Sequence, residues 1–184
     1  MRRSDSGLTL IELMVAGLIL SLVLLAIGGI TVGILSAQRT VAAVTQTATS
    51  AQSAATAIAT GVRNASDVRL STPTGSDQLL VVRTANTTST LSWSCRAWYY
   101  QASTGTIRTK VTTGAAIPAP NSTQLATWST LVTGVTPASG TQIFSVVAGG
   151  ISITYNATIS NGRPVAIDTT AIKRTGVAEV GSCY

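Results

Sequence analysis

The chain has 184 residues, a formal net charge of +6 from 12 Lys+Arg against 6 Asp+Glu, and no histidine. Only 10% of its residues are charged, against about 25% in ordinary soluble domains, and 50 Ser and Thr supply the polarity instead. Without imidazole there are no Ser-His-Asp triads or histidine-held metals. No Gly-rich loop precedes a Lys-Ser/Thr, and Asp67, Asp77, Asp168 and Glu179 lack calcium-loop spacing, so neither enzyme chemistry nor a metal or cofactor is expected.

Arg2 and Arg3 open the chain, and residues 13–38 then run for 26 positions without a charge. As a helix this run is roughly 39 Å long, enough to cross the roughly 30 Å of lipid hydrocarbon. The basic start places the N-terminus in the cytoplasm and the remainder outside. The run is too long for an ordinary secretory signal. A cut after Ala37 would also have Leu35 in the position that wants a small residue. Glu12 stands alone at the leading edge of the apolar stretch. A carboxylate there is either a functional intramembrane group or an edge residue that reaches the headgroups, and position does not decide between them.

The surrounding residues, "SGLTLIELMVAG", resemble the class III signal of type IV pilins and type II secretion pseudopilins. That resemblance implies a leader over residues 1–7, with Gly7 before the cut and Leu8 as the new N-terminus. A prepilin peptidase/methyltransferase would cut there and methylate the Leu8 amine. Glu12 would be fifth in the mature chain, where it attracts the N-terminus of a neighbouring subunit in low-dielectric surroundings. The implied partners are other pilin subunits and an inner-membrane assembly platform. The chain departs from the commoner pattern in starting with Leu8 rather than Phe. It also has Gly28-Gly29 where major pilins often carry a helix-bending Pro, and each Gly weakens a helix by roughly 1 kcal/mol relative to Ala.

Beyond the span, Val41, Val44, Ala48, Ala51, Ala55, Ile58 and Val62 recur at spacings of three and four. This is one apolar helical stripe, expected to pack on the chain's own head, because the charged flanks of a coiled coil are missing. The helix is expected to end near residues 63–65, before "SDVRLSTPTGSD" brings turn residues. Short Val/Ile/Thr/Tyr runs then predict strands over 67–71, 78–84, 90–100, 106–112, 141–147, 151–159 and 165–172. Residues 113–127, with Pro118 and Pro120, read as a long loop.

The clearest hairpin is "LSWSCRAWYYQASTGTIRTKV". If Tyr100 pairs with Thr106, Trp98 faces Arg108 and Arg96 faces Lys110, and Ile107 and Val111 join the face of Leu91, Trp93, Cys95, Ala97 and Tyr99. The outer face would then gather Arg96, Trp98, Tyr100, Arg108 and Lys110. Such a patch suits single-stranded DNA, another ligand or subunit, or simple cross-strand packing. Cys95 and Cys183 form an even pair in a chain that looks exported, which favours a disulfide pinning the C-terminus.

The expectation is an α+β, type IV pilin-like fold. Residues 1–7 form the leader, 8–36 the membrane or filament-core half of the helix, 37–65 its amphipathic half, and 66–184 a β-rich head. The expected role is a minor pilin or pseudopilin, first single-pass in the cytoplasmic membrane with the head outside, then in a surface filament. The alternatives are a filament-tip subunit for DNA uptake or adhesion, and a membrane-anchored surface protein that never assembles.

Overall fold

The computed structural model describes residues 9–86, 92–158, 164–174 and 183–184. Gly7 and Leu8 lie outside these, as do Thr90, Leu91 and Ile159 from the expected strands. The architecture is α+β and pilin-like, as expected: one long apolar N-terminal helix and an antiparallel β head. Residues 1–42 and 43–184 form two compact units.

The first element, α1, runs from Leu10 to Arg63 and continues unbroken through Gly28 and Gly29. In its first unit every large apolar side chain from Leu10 to Val41 is 48% exposed or more. Among the described residues this stretch is exposed, and it is long and apolar enough to cross a membrane. The expected stripe is buried from Ala51 onward and is wider than a two-position seam, since Ala54, Ala59 and Gly61 join it. Val41 is exposed instead. Arg63 places a cation in the last turn, where it complements the helix dipole, and Arg174 N–H donates to the Arg63 carbonyl at 3.2 Å.

Among the described residues the head has nine strands. Five form one antiparallel sheet in sequence order: β1 (Ala65–Ser71), β2 (Gln78–Asn86), β3 (Ser92–Gln101), β4 (Thr106–Thr113) and β5 (Ser129–Val132). In the second sheet β8 (Gly150–Ala157) is paired along its whole length with β9 (Val165–Ile172). Its opposite side takes β6 (Val135–Pro137) and β7 (Phe144–Val147) on successive stretches. A short helix α2 (Ser122–Ala126) lies in the expected long loop, started by a capping box in which Asn121 and Gln124 exchange hydrogen bonds.

Strand alternation builds two cores. Leu80, Val82, Trp98, Tyr100, Ile107 and Tyr155 pack with the small residues of α1, while Leu79, Val81, Cys95, Ala97 and Tyr99 face the other way. That second face is covered by the segment 115–128, through Ile117, Leu125 and Trp128, and by Cys183. The small helix face has a purpose at Gly61, where an added Cβ would sit 2.2 Å from the Trp98 ring edge. Gly→Ala ordinarily favours a helix by about 1 kcal/mol. Gly61→Ala is expected to do the reverse, lowering head stability by about 1–3 kcal/mol through overpacking, as read by the urea midpoint. Trp98→Phe, which removes the clashing ring edge, should recover part of that loss; unchanged or raised stability in Gly61→Ala would refute the account.

The two sheets meet at Gln78, which is fully buried. Its side-chain oxygen accepts from Ile143 N–H (2.7 Å) and Phe144 N–H (2.9 Å), and its amide donates to the Phe144 carbonyl at 2.8 Å. One side-chain amide thus stands in for a neighbouring strand at the start of β7.

Candidate functional site

The N-terminus of α1 is organised by Thr9 and Glu12. Thr9 N–H and Thr9 Oγ1–H both donate to Glu12 Oε2 at 3.0 Å, and Glu12 N–H donates back to Thr9 Oγ1 at 3.4 Å. This is a reciprocal capping box that satisfies donors the first helical turn leaves orphaned. A local task for Glu12 was readable in "TLIE", a Thr followed three residues on by Glu, but the carboxylate invites attention to its charge first. The cap uses one carboxylate oxygen and leaves the acid exposed at the helix tip.

The apolar half carries hydroxyls at Ser21, Thr31 and Ser36. Each donates to a carbonyl one turn back, on Gly17, Ile27 and Gly33, at 2.6, 2.8 and 2.8 Å. None needs a partner from outside, which is the condition for a hydroxyl in a solvent without hydrogen bonds.

The expected cation-aromatic patch is taken apart by register. Gln101, not Tyr100, pairs with Thr106, so Tyr99 faces Arg108, Ala97 faces Lys110 and Arg96 faces Val111. The cause is the turn. Only residues 102–105 form the loop, closed by Thr104 N–H to the Gln101 carbonyl at 3.3 Å and by Gly105 at φ 59°. Any Cβ at Gly105 would stand 2.6 Å from the Val135 carbonyl, and the Gly105 carbonyl accepts from Val135 N–H at 2.8 Å. A one-residue shift turns the whole of β4 over. Ile107 therefore joins Trp98 and Tyr100 in the main core, while Val111 is half exposed.

Trp98 and Tyr100 are inside the head, 1% and 2% exposed, with the Tyr100 hydroxyl 3.5 Å from the Val135 carbonyl. Arg96 is exposed beside α1, lining a groove of about 560 Å³ with Thr49, Ser53 and Thr60. Arg108 and Lys110 belong to the other face. Arg108 donates to the Leu125 and Trp128 carbonyls at 3.4 and 3.3 Å, and Lys110 Nζ lies 5.9 Å from the Trp128 ring centre. The two aromatics cannot stack a base, and Arg108 is occupied in tying down the covering segment.

The predicted disulfide is present: Cys95 and Cys183 are bonded, 88 residues apart, both fully buried. The Cys183 carbonyl accepts from Ile117 N–H at 3.1 Å, and Arg69 lies over the Tyr184 ring at 5.2 Å. The tail is thus held between the covering segment and the sheet.

All four tyrosines hold their protons more tightly than usual. Burial pushes Tyr155 up to about 12, its hydroxyl donating to the Ala51 carbonyl at 2.7 Å. Burial raises Tyr99 as well, helped by its 2.7 Å hydrogen bond to Asp77 and that carboxylate's charge. Burial, then the Asp77 charge, raises Tyr100, and burial, then the nearby Asp67 carboxylate, raises Tyr184. Each folded pKa lies above the ordinary value of 10.0, so the native state resists deprotonation that the unfolded chain accepts. Their contribution is complete below pH 10 and is lost as pH rises toward and past 12. Tyrosinate absorbance should therefore show no component titrating near pH 10, with ionisation appearing together with unfolding. A fully reversible step near pH 10 in the folded protein would contradict this.

No protein-family model, curated protein or solved structure matches the chain.

Proposed function

We propose that the chain is a pilin-type structural subunit, processed after Gly7 and carried by α1 from the cytoplasmic membrane into a filament with other pilin subunits. The observation that carries this reading is the bare first half of α1, apolar on all sides and headed by an exposed carboxylate. A helix apolar all round needs either lipid or other helices around it. The internally satisfied hydroxyls support both surroundings. The motif "SGLTLIELMVAG" supports the leader and the peptidase. The head, whose sequence holds no histidine, is read as filament surface. The division of the Arg96, Trp98, Tyr100, Arg108 and Lys110 patch between two faces removes the geometry that favoured a DNA-binding tip.

The direct test is mass spectrometry of the protein taken from its host. A chain beginning at methylated Leu8 is expected, and an intact Met1 would sink the proposal. Two substitutions then separate the tasks of Glu12. Glu12→Gln keeps an oxygen to accept from Thr9 but removes the charge, and is expected to be cut yet absent from sheared filaments. Thr9→Val removes the side-chain half of the cap but keeps the charge, and is expected to assemble. Wild-type filament yield from Glu12→Gln would refute a charge-pairing role.

A further inference from the structure

Two grooves run along α1 where the head leaves the outer face of the helix open. Gln52 and Thr56 line both of them and form the ridge between. On one side, Ala55, Ala59 and Arg63 border a groove of about 500 Å³ whose far wall is residues 166–169 of β9. On the other, Thr49, Ser53 and Thr60 border the groove of about 560 Å³ that holds Arg96 of β3. Asp168 and Arg96 thus stand on opposite flanks of one helix, at levels that overlap over residues 52–60.

Both are exposed, and among the described residues neither has an ion-pair partner. Asp168 accepts from the Thr154 hydroxyl at 3.5 Å. The other described carboxylates of the head are half-buried and engaged: Asp67 accepts from Val68 N–H, and Asp77 from Tyr99 and Ala102 N–H. Asp168 is therefore the one exposed acid among the described residues of the head. The groove beside Arg96 is lined by no carboxylate. Its Thr and Ser hydroxyls and the Gln52 amide are donors suited to an incoming anion.

We propose that Arg96 of one copy pairs with Asp168 of the next, between heads whose α1 helices run parallel. Unlike residues on opposite flanks make a heterologous contact, which repeats along a row and needs no two-fold axis. Every copy offers Arg96 to one neighbour and Asp168 to the other, and all α1 helices keep one direction. This deepens the pilin reading and rests on it, because anchoring in one membrane supplies the like-oriented neighbours.

Cross-linking in whole host cells tests it, the native cysteines being already bonded. Co-expressed Arg96→Cys and Asp168→Cys chains are expected to give a heterodimer with a short bis-maleimide. Either variant alone should give only background, since this contact never sets a residue beside its own copy. Equal dimer from the single variants would mark random collision and overturn the proposal. Charge reversal supplies a second reading. Arg96→Asp sets two carboxylates face to face and Asp168→Arg two guanidinium groups, so each should cut the sheared-filament yield, and the double variant should recover it. Single reversals that leave the yield unchanged overturn the pairing. Mass spectrometry of the same cells keeps the two levels apart. No heterodimer with methylated Leu8 present overturns this contact alone; no heterodimer with Met1 intact overturns the pilin reading with it.

Discussion

Replacing Gln78 with leucine is expected to lower the unfolding free energy of the head by about 3–5 kcal/mol. Leucine restores apolar volume, but it leaves Ile143 N–H, Phe144 N–H and the Phe144 carbonyl without their partner in a fully buried place. Each such orphan costs about 1–3 kcal/mol, offset in part because the amide itself no longer needs burying. All three tryptophans, at positions 93, 98 and 128, belong to the head, so urea unfolding followed by their fluorescence reads this unit. A midpoint equal to wild type would show that the clamp contributes nothing. Gln78→Glu offers a contrast. Its ionised acid can still accept from the two N–H groups but repels the Phe144 carbonyl, so it should be unstable at neutral pH. Acidification, which gives the acid a proton to donate, should recover stability in part.

The double variant Cys95→Ala/Cys183→Ala is expected to lose up to about 4–5 kcal/mol, the chain-entropy value for a closed loop of 88 residues. The loss should have an address as well as a size. Cys183 holds Ile117 through its carbonyl, and Ile117, Leu125 and Trp128 cover one face of the first sheet. Amide exchange is therefore expected to quicken most in residues 115–128. The cluster around Trp98 and Ile58, built without the tail, should hold its protection under conditions where the variant remains folded. Uniform quickening across both clusters would refute this local coupling.

How much of this was readable beforehand follows from the range of each interaction. The long helix and most strands rest on local periodicity, and they stand where the pattern put them, with α1 ending at Arg63 and β9 at residues 165–172. β5 and β6 were missed because four and three residues in a Ser/Thr/Gly-rich stretch carry too little alternation. The hairpin register failed on one loop residue. What decides it is Gly105 against Val135, thirty positions later in the chain, and no hairpin rule contains that contact. Gln78 reaches 65 and 66 residues ahead, so its role was equally invisible. The cap at Thr9 was different: the signal was present in four consecutive residues, but the charge of Glu12 drew a longer-range explanation.

Ser21, Thr31 and Ser36 have a consequence beyond their own turns of helix. A segment whose hydroxyls are closed on its own backbone has the same polar inventory in every apolar medium. Moving it from one such medium to another breaks no hydrogen bond and demands none on arrival. For these three groups, extraction from lipid and insertion among other helices are thermodynamically the same event seen from two sides. Under the proposed function, what distinguishes lipid from a helical bundle is then left to side-chain packing and to the Glu12 charge, and a packing substitution can redirect the helix while its internal hydrogen bonds stay intact.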